Sequence, residues 1–242
     1  MKDLLQNHLL QILCMITLDD TTDATPQNVA DRRLRALRAV QIPTIADAAA
    51  SSHRARYTGG RLATAGGASG RVVPDYIAEP GVDASRQTET LAEVVLRVAS
   101  ARWVGTRFLL RAGKAMAQRR RGILLHFTMG GGDDVQESWI DVDLPPPSAL
   151  SDRSDADAQQ TGAAPALLEQ LAYTRILAAL LSGSSDLSVS APETERAWEI
   201  FEPFLAAWAS GLVPLTEYPA GSSGPAWPSR ACEPNQQVYE SK

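Results

Sequence analysis

The order of segments predicts an α+β fold, with an antiparallel sheet covered on one face by helices. Apolar helical patterns open the chain, short strand-like runs fill its middle, and apolar helical patterns return near its end. No regular alternation of strand and helix runs through it, which disfavours a doubly wound parallel sheet. A 44% apolar content over 242 residues is enough for one sizeable core and argues against global disorder.

Residues 3–18 predict a helix. Leu4, Leu5, Leu9, Leu10, Ile12, Leu13 and Ile16 cover most of its circumference, the pattern of a helix buried between other elements. Residues 28–40 predict a second helix, with Val29, Leu34, Leu37 and Val40 on its apolar face and Arg32, Arg33, Arg35 and Arg38 on its polar faces. Glycines break residues 54–72 into loop or hairpin, and Glu79-Pro80-Gly81 is a turn. Strands are expected over 90–99, 108–110 and 123–127. Residues 139–144 alternate apolar with acidic, as a half-exposed strand does. Residues 145–165, rich in Pro, Ser, Asp and Ala, predict a loop, and 166–182 and 193–209 predict apolar helices. The Pro/Gly/Ser-rich chain after Pro214 predicts an irregular tail.

A net charge of −5 argues against a general nucleic-acid binder, and two cysteines are too few for a disulfide scaffold. No run of eighteen apolar residues spans a membrane. The N-terminus resembles a signal peptide only superficially, because Gln6, Asn7, His8 and Gln11 interrupt its apolar run.

Several motifs occur in a telling order. Asp3-Leu4-Leu5-Gln6-Asn7-His8 opens the chain, followed by the basic helix at Arg32–Arg38 and by Tyr57-Thr58-Gly59. Next come Tyr76-x-x-Glu79-Pro80-Gly81-Val82 and Thr88-Glu89-Thr90, then Arg102-Trp103-x-Gly105-x-x-Phe108-x-Leu110-Arg111-x-Gly113-Lys114. Ala172-Tyr173-x-Arg175, Ala197-Trp198-x-Ile200-x-x-Pro203 and Tyr218-Pro219-Ala220-Gly221-Ser222-x-Gly224-Pro225 close the series. In this order they resemble the C-terminal, substrate-binding domain of glucose-6-phosphate dehydrogenases. The resemblance implies a domain over 1–225, with 128–165 a divergent loop-rich insert where the family has further sheet strands, and a tail over 226–242. The sheet is then smaller than the family's. Because the family's subunits meet through that sheet, its mode of dimerisation is put in question.

The family oxidises the C1 hydroxyl of glucose 6-phosphate, passing hydride to NADP and forming a lactone. His8 matches its general base, and an unperturbed imidazole, titrating at about 6.5, suits that task. On its residues alone, His8 reads first as a hydrogen-bonded core histidine, and it is the resemblance that favours the base. Asp3 matches a carboxylate that binds sugar hydroxyls; read without the family it is a helix N-cap. On an α-helix, residues 3 and 8 are separated by roughly 140° of rotation, which keeps Asp3 from orienting His8. In the family another aspartate does this, from an Asp-His-Tyr-x-Gly-Lys segment not found in this sequence. Lys114 and Arg119 match substrate-binding positions, with Gly113 letting the backbone approach a ligand. The dense cluster Arg111, Lys114, Arg119, Arg120 and Arg121 also fits a solvated basic turn.

No Gly-x-Gly-x-x-Gly opens a strand-turn-helix unit, no Cys/His set has zinc spacing, and Gly130–Gly132 runs into two aspartates. His53 and His126 have no acid close by in sequence. NADP is therefore expected on the family's N-terminal domain, absent from this sequence. The expected function is that of the substrate-binding part of the dehydrogenase that makes 6-phosphogluconolactone in the pentose phosphate pathway, inactive alone. The alternative is a non-catalytic truncated relative that associates with full-length subunits. Expected partners are glucose 6-phosphate and the missing half or full-length subunits, without nucleic acid or membrane, in the cytoplasm.

Overall fold

In the computed structural model of the protein, the described residues are 2–18, 26–63, 70–118, 121–129, 136–143, 174, 177–178, 180–183 and 188–225. They divide into two compact units. One comprises Met1–Gln118 with Val189–Trp227, the other Arg119–Ser188 with Pro228–Lys242.

In the first unit the opening helix buries Leu5, Leu10, Leu13 and Cys14. Its first turns, Leu4–Leu9, are a π-helix that runs into α1, Leu10–Thr17. Helix α2, Pro26–Ala39, buries Ala36 and Leu37 as its periodicity requires. Arg35 and Arg38 are exposed as expected, but Arg33 is buried, because its guanidinium meets Glu193 across the core at 2.8 Å. A short helix unmarked by the sequence reading follows, α3, Ile45–Ala50, capped by the Thr44 side chain, which accepts from the Asp47 N–H.

The strands are β1 Ser52–Thr58, β2 Gly60–Leu62, β3 Arg71–Val73, β4 Leu91–Leu96, β5 Phe108–Gly113, β6 Gly122–Met129, β7 Gln136–Asp143 and β8 Leu215–Pro219. The main sheet has the order β5-β4-β1-β8. Its pairings are antiparallel except for β1 with β8, which is parallel. Ser52, Val94 and Leu110 stand opposite one another across β1, β4 and β5. Their side chains share the face covered by the long helix α4, Ala191–Ala209, whose Trp208 donates its indole N–H to the Ser52 hydroxyl at 2.9 Å. Leu5, Leu37, Leu96, Ile200, Phe201 and Phe204 fill the layer between. Burial of each large side chain contributes about 1.5–3 kcal/mol.

Two expectations are overturned. Residues 54–72 do contain a hairpin, β2–β3, but 52–58 form an inner strand of the sheet. Arg54 and Arg56 mask that strand in a hydropathy reading; Arg54 is buried nonetheless, donating to the Val213 carbonyl at 3.0 Å. The chain after Pro214 is likewise not wholly irregular. Leu215–Pro219 adds to the sheet edge, and an edge tolerates the terminal Pro219.

The second unit holds the β6–β7 hairpin, in which Leu125 faces Ile140 and Ile123 faces Val142. The 145–165 loop and most of the 166–182 helix lie outside the described residues; 177, 178, 180 and 181 are helical. Among the described residues no helix is long and apolar enough to cross a membrane.

Cys14 makes a testable case of burial. Its thiol, fully buried, donates to the Arg33 carbonyl at 3.2 Å. Burial first, then the nearby Glu193 carboxylate, pushes its pKa up to about 12. The thiolate is the nucleophile, so iodoacetamide at pH 8 should leave Cys14 unmodified in the folded chain and alkylate it in urea. Peptide mass spectrometry reads the difference, and rapid native labelling would contradict the burial.

Candidate active site

The π-helical opening decides the geometry at His8. Leu10 N–H bonds to the Leu5 carbonyl, so each hydrogen-bonded ring takes in one residue more than an α-helix's does. Residues 3 and 8 therefore stack, and His8 Nε2 lies 3.7 Å from Asp3 Oδ2. The 140° separation expected for an ordinary helix does not hold here, and the carboxylate stands beside the imidazole. Both side chains are open to solvent, at 61% and 78% exposure, so His8 is not a core histidine.

The π-helix packs against β5, the strand that leads straight into Lys114. Lys114 is exposed, and its ammonium makes no hydrogen bond or ion pair with the described residues. Its backbone, in contrast, is held firmly. Lys114 N–H donates to the Thr90 carbonyl at 2.8 Å, and Gly221 N–H donates to the Ala115 carbonyl at 2.8 Å. Ala115 sits at φ 52°, a left-handed conformation that a non-glycine residue keeps only when its surroundings impose it. A Cβ at Gly113 would meet Met116 Sδ at 2.8 Å and a Leu91 methyl at 3.3 Å, so the glycine makes room for the packing of those side chains. Arg119 lies outside the described residues.

One constellation escaped the sequence reading. His53, Glu93 and Arg111 stand opposite one another on β1, β4 and β5, on the sheet face away from α4. Glu93 is fully buried, with His53 Nδ1 3.5 Å from one oxygen and Arg111 Nε 3.1 Å from the other. His53 Nε2 also meets the Thr216 hydroxyl at 2.9 Å. Thirty-nine residues of intervening chain hide this acid from a search for neighbours, and only strand register could have found it.

Two surface clefts, one of about 460 Å³ along Arg97–Thr106 and one of about 160 Å³ between the π-helix and α4, are lined by neither His8 nor Lys114. The candidate residues stand on open surface. No strand-turn-helix unit with a glycine-rich turn occurs among the described residues, and strands β1, β4 and β5 pair antiparallel. The described residues therefore form no Rossmann-type cradle, in which a dinucleotide meets a helix N-terminus at the end of a parallel strand.

The described residues thus form an α+β domain, an antiparallel-rich sheet under a long helix, with the Asp3–His8 pair on its opening helix and Lys114 on a clamped turn. It matches a solved glucose-6-phosphate dehydrogenase in complex with its substrate glucose-6-phosphate, at TM-score 0.59 and 21% identity over 93% of this chain and 48% of that one. The glucose-6-phosphate 1-dehydrogenase of Mycobacterium avium gives TM-score 0.58 at 20% identity, over 93% of this chain and 47% of that one. The family model of the glucose-6-phosphate dehydrogenase C-terminal domain matches residues 1–138 and 148–240, and the chain belongs to that family. Among curated relatives, the glucose-6-phosphate 1-dehydrogenase of Gluconobacter oxydans (strain 621H) is 30% identical over 246 residues, covering 93% of this chain and 48% of the relative. That of Rhizobium meliloti (strain 1021) is 28% identical over 248 residues, covering 93% of this chain and 49% of the relative. The chain thus spans about half the length of the curated relatives it matches.

Proposed function

We propose that the chain supplies the substrate side of an NADP-dependent oxidation of glucose 6-phosphate. The observation that carries this reading is that the π-helix presenting His8, beside Asp3 and open to solvent, packs against the strand leading into Lys114, whose ammonium has no partner among the described residues. On this reading residues 1–225 are the family's C-terminal domain, with 128–165 an insert and 226–242 a tail, in a cytoplasmic setting.

His8 takes the proton of the C1 hydroxyl as hydride leaves the same carbon, since removing the proton as charge develops lowers the barrier to hydride loss. Asp3 accepts hydrogen bonds from sugar hydroxyls, as a carboxylate's several lone pairs allow. Lys114 and Arg119 grip the sugar phosphate by charge. NADP, when bound, accepts the hydride, and on this reading its site lies on the N-terminal domain of the dehydrogenase.

The test uses the 242-residue chain labelled with ¹⁵N. Glucose 6-phosphate should shift the resonances of His8 and Lys114 together. Lys114→Ala should weaken the response about 10- to 100-fold, the worth of a charge-assisted hydrogen bond. Glucose without phosphate should produce no comparable shift. In the same preparation, glucose 6-phosphate and NADP should give no absorbance of reduced cofactor. No response of either residue to the sugar phosphate rejects the reading in favour of a non-catalytic relative that associates with full-length subunits. Reduction of NADP by the chain alone rejects its inactivity in isolation.

A further inference from the structure

The turn that carries Lys114 is held by a chain of hydroxyl groups that lies beneath it. Thr90 and Tyr218 are both almost fully buried, at 1% and 2% exposure. Tyr218 donates its hydroxyl to the Lys114 carbonyl at 2.7 Å. A phenol has one hydrogen, so at the 3.0 Å contact between the Thr90 and Tyr218 hydroxyls it is Thr90 that donates. Thr90 Oγ1 in turn accepts from the Tyr57 N–H at 2.9 Å. The direction of every bond is thereby set, from Tyr57 N–H through Thr90 and Tyr218 to the Lys114 carbonyl. Successive bonds of one polarity strengthen one another.

The same threonine meets Lys114 a second time, its carbonyl accepting the Lys114 N–H. Both polar groups of the Lys114 backbone therefore end on Thr90 or Tyr218. The next residue, Ala115, is at φ 52°, with its carbonyl held by Gly221, and Ala117 N–H donates to the Ser222 carbonyl at 2.9 Å. A left-handed alanine between two captured carbonyls is a conformation imposed from outside the turn. Burial raises the pKa of the Tyr218 hydroxyl, so it stays protonated and remains a donor.

We propose that Thr90 and Tyr218 are the positioning residues of Lys114, their hydroxyls fixing the turn so that its ammonium is presented to the phosphorylated sugar. This rests on the reading of Lys114 as a substrate-binding residue.

The experiment compares Tyr218→Phe, Thr90→Val and Thr90→Ser with the parent chain by NMR. Each of the first two removes a hydroxyl at nearly constant volume, and the third keeps it. In Tyr218→Phe and Thr90→Val, the amides of Ala117 and Gly221 should exchange with solvent about tenfold faster, and the glucose 6-phosphate concentration that half-shifts the Lys114 amide should rise about tenfold. Thr90→Ser should restore both. The amides of Val94 and Leu110 inside the sheet should be unaffected, which separates loss of positioning from loss of fold. Should one variant unfold, those reference amides reveal it and the other variant carries the comparison. Unchanged affinity in both hydroxyl-free variants, or equal loss in Thr90→Ser, overturns the proposal. If the parent chain does not respond to glucose 6-phosphate, the substrate reading of Lys114 fails, and this assignment falls with it. Accelerated exchange at Ala117 and Gly221 would then mark a clamp with a structural role only.

Discussion

Arg33→Leu should lower the stability of the chain by about 3–5 kcal/mol at neutral pH, the cost of leaving a buried carboxylate without its partner. Glu193 is fully buried at the start of α4, and Arg33 grips it from α2 with Nε at 2.8 Å and Nη2 at 3.4 Å. Glu193 also closes the α4 capping box, accepting from the Ser190 N–H at 2.8 Å and the Ser190 hydroxyl at 2.7 Å. Burial pushes the Glu193 carboxyl up, but the bonds from Arg33 and Ser190 more than offset this and leave it below the ordinary range.

The sign of the pH dependence follows from that depression. A depressed carboxyl contributes stability that is present above its unfolded value, about 4.3, and is lost as pH falls through the folded value. Urea unfolding followed by tryptophan fluorescence should therefore show a large gap between parent and Arg33→Leu at pH 7. The gap should narrow as pH falls: above about 4.3 because burial raises the orphaned acid of the variant, which takes its proton early, and below it because the paired Glu193 of the parent is protonated in turn. Replacing both partners, Arg33→Met with Glu193→Leu, should cost less than the single change, because no charge is left buried. A gap under about 1 kcal/mol, or one that ignores pH, would show that the pair does not hold α2 to α4.

Gly221→Ala should be nearly as damaging, at about 2–4 kcal/mol. Gly221 has φ 85°, and a Cβ there would fall 1.8 Å from the Arg61 carbonyl oxygen. No rotamer change relieves a clash with backbone, so the turn must retreat and its bond to Ala115 must stretch. Gly211 is the control. Its φ is 75° but a Cβ would meet nothing within 4 Å, so Gly211→Ala should cost only the left-handed penalty of about 1–2 kcal/mol. Thermal or urea unfolding of the two variants gives the comparison. Equal losses would mean that the close approach to Arg61 carries no energy.

Long periodic segments were the most legible part of the fold. The pattern Ile200, Phe201, Phe204, Trp208 marks α4, and the run Leu91–Leu96 marks a strand buried on both faces, because each follows from which local positions must leave water. The capping sequence Ser190-x-x-Glu193 was there to be read and would have moved the start of α4 from 193 to 191. The edge strand at Leu215–Pro219 was less legible: it is short, flanked by prolines, and stabilised by pairing with a segment far earlier in the chain.

The candidate site divides in the same way. His8 and Lys114 could be singled out in the sequence from the motifs around them, but their neighbours could not. The carboxylate beside His8 depends on a π-helical turn, which differs from an α-helix by one residue per hydrogen-bonded ring and leaves no mark in hydropathy. The clamp on Lys114 joins Thr90 to Tyr218 across 128 positions of chain.

By itself the sequence determined the α+β class, the apolar faces and the ordered motifs that place the chain in its family, since these depend on residues near one another along the chain. Only the tertiary structure decided that Arg33 turns inward, that Leu215–Pro219 joins the sheet, that Asp3 stands by His8 and that Tyr218 holds the backbone of Lys114. Strand register and helix packing between distant segments bring the Arg33, Leu215–Pro219 and Tyr218 contacts about, while the Asp3–His8 pair depends on a π-helical turn that hydropathy does not mark.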